Sequence, residues 1–383
     1  MIDDRNSHGA DVPATPLPRR DYIVLPLLSL LTVLTMFVAA EVVSRVTFVQ
    51  HEADACMMPD PQLGTRFRPN CTSRVKAAEG PWVTNSYNDC GYRTPQPCGP
   101  KPNDGVRIAV LGSSVAQGYL VPYQQTFAAR AAQQLTQDCR KPVEFQNLAS
   151  IGYIWNRLAD RVDDAIALHP DAAVIVMVPF DLQQAAAAPN DPPADRQNDD
   201  PGPLKRLDGL IVNSRAVVVA QHFMFRQADL YTKLYLDYGD RADFLRPPFT
   251  PAWQDRLQRF DRLMADIADR FRAAGVPLFL VYVPERAQAA LLSAHQSPPG
   301  VDPYALPRQI GDIARRHGIR FVDLSPTMSR TQDAAALYYP VDGHLSGQGA
   351  GMLADVLTRH LRETVPPLAK CRSDTFALGR ATQ

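Results

Sequence analysis

The sequence predicts an α/β fold, a three-layer α/β/α sandwich built on a five-stranded parallel sheet and preceded by one transmembrane helix. Three observations predict it. From residue 107 onward, short apolar runs alternate with longer stretches of helical periodicity, as strands joined by crossover helices do. Each run is apolar at nearly every position, which suits strands buried on both faces of a sheet. Ahead of them, residues 22–40 form a run of nineteen without a charge.

Residues 1–21 read as a polar, Pro-rich cytoplasmic tail. At about 1.5 Å per residue the run at 22–40 is roughly 28 Å long, close to a hydrocarbon core of about 30 Å. Arg5, Arg19 and Arg20 precede it, and the stretch that follows carries only Arg45. The positive-inside tendency then puts the N-terminus in the cytoplasm, and everything after about residue 45 is exported. A cleaved signal peptide ending at Val38-Ala39-Ala40 is the competing reading, and it exports the same domain.

Residues 46–105, rich in Cys, Pro and Asn and with little periodicity, read as an arm packed on the main domain at 106–366. Within that domain the strand candidates are 107–111, 143–149, 172–178, 277–283 and 320–324. Helical stretches fall at 124–138, 156–168, 252–274, 304–317 and 347–363. The third of these carries an apolar stripe of Leu257, Phe260, Leu263, Met264, Ile267 and Phe271 at amphipathic spacing. An insertion at 182–251 interrupts the rhythm. Its Pro- and Asp-rich part at 188–203 reads as a mobile surface loop. Its second part at 214–238 reads as a helix, either a lid over the working face or an ordinary surface helix burying Phe223, Phe225 and Tyr231. Residues 367–383 form a tail.

With 383 residues and 45% hydrophobic composition the chain can bury a core in one large or two ordinary domains. Forty basic residues balance forty acidic ones, so no whole-chain field points to nucleic acid or an anionic surface as a partner. Six cysteines, an even number, suit an oxidising compartment. The sequence alone does not choose among their pairings; short loops favour Cys56 with Cys71 and Cys90 with Cys98, and Cys139 with Cys371 would tie the end of the chain to the domain. There is no Cys-x-x-Cys and no His-Glu-x-x-His, so neither a metal site nor a cofactor is predicted.

Open parallel sheets place working residues at the carboxyl ends of their strands. The first apolar run ends in Gly112-Ser113-Ser114, with Gly118 four residues further on, so a serine hydroxyl stands at a strand-to-helix turn where unpaired backbone N–H groups can meet an oxyanion. A free hydroxyl is scarcely ionised at neutral pH and needs a base. Of eight histidines only His344 has a carboxylate two residues earlier, Asp342. Serine, acid and histidine in these roles make a nucleophile, an orienting group and a general base. The elbow of an α/β-hydrolase wants Gly-x-Ser-x-Gly, and Ala116 stands at its last position here. The glycines at 343, 347, 349 and 351 do not follow a strand and make no dinucleotide site.

These blocks resemble the SGNH (GDSL-like) hydrolase superfamily, over roughly residues 60–365. Its Gly-Asp-Ser-x-x-x-Gly block matches 112–118, with Ser114 as nucleophile and Ser113 where the family has Asp. Its second block looks like Asn147 followed by Gly152, whose N–H with that of Ser114 would form the oxyanion hole. At the third block, Gly-x-Asn-Asp, the chain reads Val178-Pro179-Phe180-Asp181, and Phe180 cannot donate a hydrogen bond where the family has Asn. Losing one such donor costs on the order of 10²- to 10³-fold in rate, so the chain would use another donor, turn over slowly or not at all. Asp342 and His344 stand for the last block, one residue shorter than the usual Asp-x-x-His. Upstream, 59–70 and 85–93 look like the lead-in of membrane-anchored bacterial members, with Asn85 and Arg93 either near the site or in a turn and a surface ion pair.

The resemblance implies a flavodoxin-like sheet of the SGNH type. It also implies an exported, anchored serine esterase that removes O-acetyl groups from cell-envelope or secreted carbohydrate, with polysaccharide-assembly proteins of the envelope as possible partners. A carbohydrate O-acetyltransferase using the same triad, and a non-catalytic carbohydrate-binding or scaffold protein on the same fold, are the alternatives.

Overall fold

The computed structural model describes residues 18–151, 157–184, 214–369 and 371. Two hairpins come first: β1 (Met57–Asp60) with β2 (Gly64–Phe67), and β3 (Thr72–Val75) with β4 (Val83–Ser86). Five parallel strands follow, β5 (Val106–Gly112), β6 (Val143–Asn147), β7 (Ala172–Met177), β8 (Leu278–Tyr282) and β9 (Arg320–Asp323). They lie in the order β6-β5-β7-β8-β9. This is the flavodoxin-like order, in which the first strand is flanked by the second and the third. The chain therefore changes direction across the sheet at β5, and a crevice opens at the carboxyl end of that strand.

Every residue of β5, β6, β7 and β8 is buried, so these strands read as continuous apolar runs, while edge strand β9 keeps Arg320 exposed. Alternation sorts β5 between two cores. Ile108 and Val110 pack with Phe127, Leu135, Leu353 and Leu357 of the helices Phe127–Cys139 and Gly347–Thr364. Ala109 and Leu111 face the other way, among Trp253, Phe260, Met264 and Phe271 of the helix Pro251–Ala273. Each such large side chain contributes about 1.5–3 kcal/mol by leaving water. Helix starts are set by local chemistry: Thr126, Thr250 and Ser346 accept from the backbone N–H three residues on, and Pro251 occupies the first turn after Thr250.

The predicted strands, and the helices at 124–138, 252–274, 304–317 and 347–363, are found where the periodicity puts them, while the described part of 156–168 is a 3₁₀ turn at Ala159–Arg161 followed by a short helix at Val162–Ala167. Three readings need correction. The arm, read as having little periodicity, holds two hairpins, and only the second, β3 with β4, alternates exposed and buried side chains. The segment at 214–238 is two helices, Arg215–Phe225 and Ala228–Leu236. No residue of the first is buried and Phe223 is 58% exposed, so it is not a helix burying Phe223 against the core. The helix Arg286–Ala294 was not expected; almost all of it is buried, which removes the amphipathic stripe that announces a helix. The loop at 188–203 and the tails at 1–17 and 372–383 lie outside the described residues.

A helix at Asp21–Thr47 contains the predicted span and runs past it, and none of its most apolar window is packed inside the protein. It is long and apolar enough to cross a membrane. Beyond the apolar run, Glu41 accepts hydrogen bonds from Ser214 Oγ (2.8 Å) and from the backbone N–H groups of Arg215 (3.1 Å) and Ala216 (2.9 Å), which satisfies donors at the start of the insertion helix. The disulfides join Cys56 to Cys71, Cys90 to Cys98 and Cys139 to Cys371, and they fit an oxidising compartment.

Candidate active site

Strand β5 delivers Gly112 to the crevice with φ of 138°. A Cβ there would lie 2.5 Å from the carbonyl oxygen of Val176 and 2.6 Å from the Ala116 side chain, so only glycine lets the chain turn this closely over β7. The turn feeds the short helix Ser114–Gln117, which ends at Gly118, and Ser114 is half-buried at its start. Two buried side chains hold this turn from beneath. Asn147, at the end of β6, donates from Nδ2 to the carbonyl of Ala116 (2.9 Å) and accepts the N–H of Ala149 (3.1 Å). Arg93 donates to the carbonyls of Gln117 (3.0 Å), Gly118 (2.6 Å) and Val121 (2.7 Å). At 2% exposure Arg93 is a strut beneath the turn, not a surface ion pair. Asn85 is buried too and donates to Asp54, whose carboxylate also takes the hydroxyls of Ser73 and Tyr87.

Asp342 and His344 sit on a loop closed by an antiparallel bridge between Tyr338 and Leu345 and by the bond from Tyr339 N–H to the carbonyl of His344 (2.9 Å). Gly343, with φ of 82°, lets the flanking side chains face one another. Asp342 Oδ1 lies 2.6 Å from His344 Nδ1 and also accepts the N–H of residue 344 at 3.1 Å. His344 Nε2 lies 2.7 Å from Ser114 Oγ, across 230 residues of sequence. With the carboxylate at Nδ1, the proton-bearing nitrogen is Nδ1, and Nε2 is left to accept from the serine hydroxyl. The Tyr119 ring packs edge-on against the imidazole, with centroids 5.2 Å apart. Tyr339 donates its hydroxyl to the carbonyl of Leu120 (3.1 Å), tying the histidine loop to the segment after the serine turn.

Burial works against the imidazolium, but the hydrogen bond to Asp342 and the charges of Asp342, Asp181 and Glu52 outweigh it, so the pKa of His344 is raised above its ordinary value. Burial pushes the Asp342 carboxyl up, and its bonds to His344 more than reverse this, leaving it below the usual range. The pair is poised to carry a proton while one end stays anionic.

The structure thus brings Ser114, His344 and Asp342 together. Ser113 is buried as the residue before the short helix and makes no capping bond there. Asp181 is buried, accepts the N–H of Val178 at 2.9 Å and adds its charge to the field at His344. Phe180 is 39% exposed beside the Arg241 guanidinium, which lies 5.5 Å from its ring centre, and its side chain supplies no donor. Gly152 lies outside the described residues. Among the described residues one group has metal-ligand proximity, Asp89 with Cys90 and Cys98, and the two sulfurs are joined to each other. Sequence reasoning missed Glu79 and Arg286, which grip the histidine loop; each lacks a motif, and nothing local distinguishes them from surface charges.

Residues 244–383 match the family described as an SGNH hydrolase-like domain, acetyltransferase AlgX. The matched residues include Asp342 and His344, while Ser114 precedes them. Among solved structures, the chain is similar to a putative lipolytic protein of the G-D-S-L family from Desulfitobacterium hafniense, with 11% identity over 66% of this chain and 98% of that one and a TM-score of 0.37. It is similar to an acetyl xylan esterase, with 11% identity over 67% of this chain and all of the other (100%) and a TM-score of 0.37. A two-domain esterase active on acetylated mannans shows 16% identity over 68% of this chain and 49% of that one, with a TM-score of 0.35. No curated protein matches the chain in sequence. Over residues 244–383, then, the chain is similar to an SGNH hydrolase-like domain.

Proposed function

We propose that this protein is an exported, membrane-anchored serine esterase working through an acyl-Ser114 intermediate. The observation that carries the reading is the continuous relay of Ser114 Oγ, His344 and Asp342 at 2.7 and 2.6 Å. Ser114 attacks the ester carbonyl while His344 Nε2 takes the hydroxyl proton, and Asp342 steadies the imidazolium that results. The oxyanion is met by the N–H of Ser114, with Gly152 as the second donor. His344 then returns its proton to the leaving alcohol, and the acyl group stays on Ser114 until an acceptor arrives. The substrate is an O-acetyl group on cell-envelope or secreted carbohydrate, and the domain after the anchor faces the periplasm or the exterior.

A second reading replaces water by a carbohydrate hydroxyl as acceptor, and the description of the matched family as an acetyltransferase favours it. Both readings share the acyl-enzyme. Purified full-length protein treated with a serine-directed fluorophosphonate should be labelled at Ser114, and Ser114→Ala should lose at least about 10³-fold of its activity on acetyl esters. Absence of labelling, beside a labelled control enzyme, would favour a non-catalytic scaffold. Acetate release measured with and without added oligosaccharide separates hydrolysis from transfer.

A further inference from the structure

The loop bearing Asp342 lies outside the sheet, and its backbone N–H groups at 341 and 342 find their partner in the arm. Glu79 accepts from Val341 N–H (2.9 and 3.1 Å to its two oxygens) and from Asp342 N–H (2.9 Å). Its side chain is only 3% exposed, and one oxygen also lies 2.6 Å from Nδ1 of His222 on the insertion helix Arg215–Phe225. A second buried charge repeats the arrangement. Arg286 donates to the carbonyl of Pro340 (2.9 Å) on the same loop and to the carbonyl of Phe225 at the end of the same insertion helix. The insertion helix has no fully buried residue of its own, and these polar ties, with Glu41 at its start, join it to the histidine loop and to the helix Asp21–Thr47.

We propose that Glu79 is a positioning residue for the Ser114–His344–Asp342 relay, and that its bond to His222 makes the insertion helix part of the support of the acid. Charge-assisted bonds to a buried carboxylate are short and strong, and replacing the carboxylate leaves backbone donors unmet. Glutamine at 79 leaves the loop a single neutral acceptor oxygen in place of a carboxylate whose two oxygens share the Val341 N–H. The Val341–Asp342 peptide then shifts, and the Asp342 carboxylate moves with it. Displacements near 1 Å at such a site cost on the order of 10²-fold in rate.

The inference rests on the reading of Ser114 as nucleophile, and the test separates the two. Full-length wild type, Glu79→Gln and His222→Ala are compared in detergent by the second-order rate of fluorophosphonate labelling at Ser114 across pH. The charged groups facing His344 are Asp342 on its own loop, Asp181 after β7 and Glu52 of the arm; those facing Glu79 are His222 and Arg286. Glu79→Gln should slow the plateau rate by on the order of 10- to 100-fold. It should also move the acid limb to lower pH, because His344 loses part of the support of Asp342. His222→Ala, at a partly exposed side chain that leaves the core intact, should move both in the same direction by less. The proposal is overturned if both variants keep the wild-type rate and limb, or if the plateau falls with the limb unmoved, which is the mark of general loosening. If Glu79→Gln does not fold, His222→Ala decides alone, and a wild-type profile from it overturns the proposal. Unlabelled wild type overturns the reading of Ser114 itself, and this inference with it.

Discussion

The two loops that meet at the candidate site are built differently. The serine turn grows straight out of a strand buried along its whole length, and a steric condition at Gly112 fixes its path. The Asp342–His344 loop hangs from a single bridge and is gripped from outside the sheet, by Glu79 of the arm and by Arg286 beside the insertion helix. The serine half of the site is therefore set by the strand it leaves and by side chains buried beneath it, Arg93 and Asn147, and the acid half by contacts from the arm and beside the insertion. The serine should stand still, and the reactivity of the pair should be governed by the acid side.

Asp342→Asn tests the acid side with the largest effect. The amide would present an NH₂ group to Nδ1, favour the tautomer with the proton on Nε2, and take away the lone pair that Ser114 needs. A loss of about 10⁴-fold in acyl-ester turnover is expected, as in other Ser-His-Asp sites. Turnover within tenfold of wild type would show that the carboxylate does not orient the ring. The comparison between the two loops would then lose its functional meaning.

Arg93→Met tests the serine side. The side chain is buried and its three acceptors are the carbonyls of Gln117, Gly118 and Val121, so methionine fills space but leaves them unsatisfied. Destabilisation of about 3 kcal/mol or more is expected from chemical denaturation, with slower labelling of Ser114 in whatever remains folded. Stability equal to wild type would mean that the turn is held by β5 alone.

The same contrast explains what could be read from the sequence. Ser114 and the five strands were legible because a Gly-Ser-Ser turn after a β-branched run, and runs such as 172–178, carry their constraint within a few residues. Asp342 and His344 were legible as a pair because one glycine separates them. Their supports were not, since Glu79 looks like any arm carboxylate until the fold brings it to Val341. The break between the insertion helices falls at Arg226-Gln227, with no Gly or Pro to mark it. Arg93 and Asn85 were recognisable as part of a lead-in pattern, but their burial depends on the hairpins β1–β4, whose four-residue strands carry too little periodicity to stand out singly.

The smallest predicted effect separates near from far electrostatics on the acid side. Burial lowers the pKa of His344, and Asp342 by its bond and charge, then Asp181 and Glu52 by charge, raise it above the ordinary histidine value. His344 must be neutral at Nε2 to take the serine proton, so the labelling rate should rise with pH through a limb lying above the ordinary histidine range. Glu52 is an exposed residue of the arm, and removing its charge as Glu52→Gln should lower that limb far less than Asp342→Asn does. Salt sharpens the distinction. At about 1 M, where the screening length is about 3 Å, the difference between Glu52→Gln and wild type should vanish, while the bonded Asp342 continues to hold the limb up. A limb that falls in high salt to the position it takes in Asp342→Asn would place the support of His344 in diffuse charge, not in the contact at 2.6 Å.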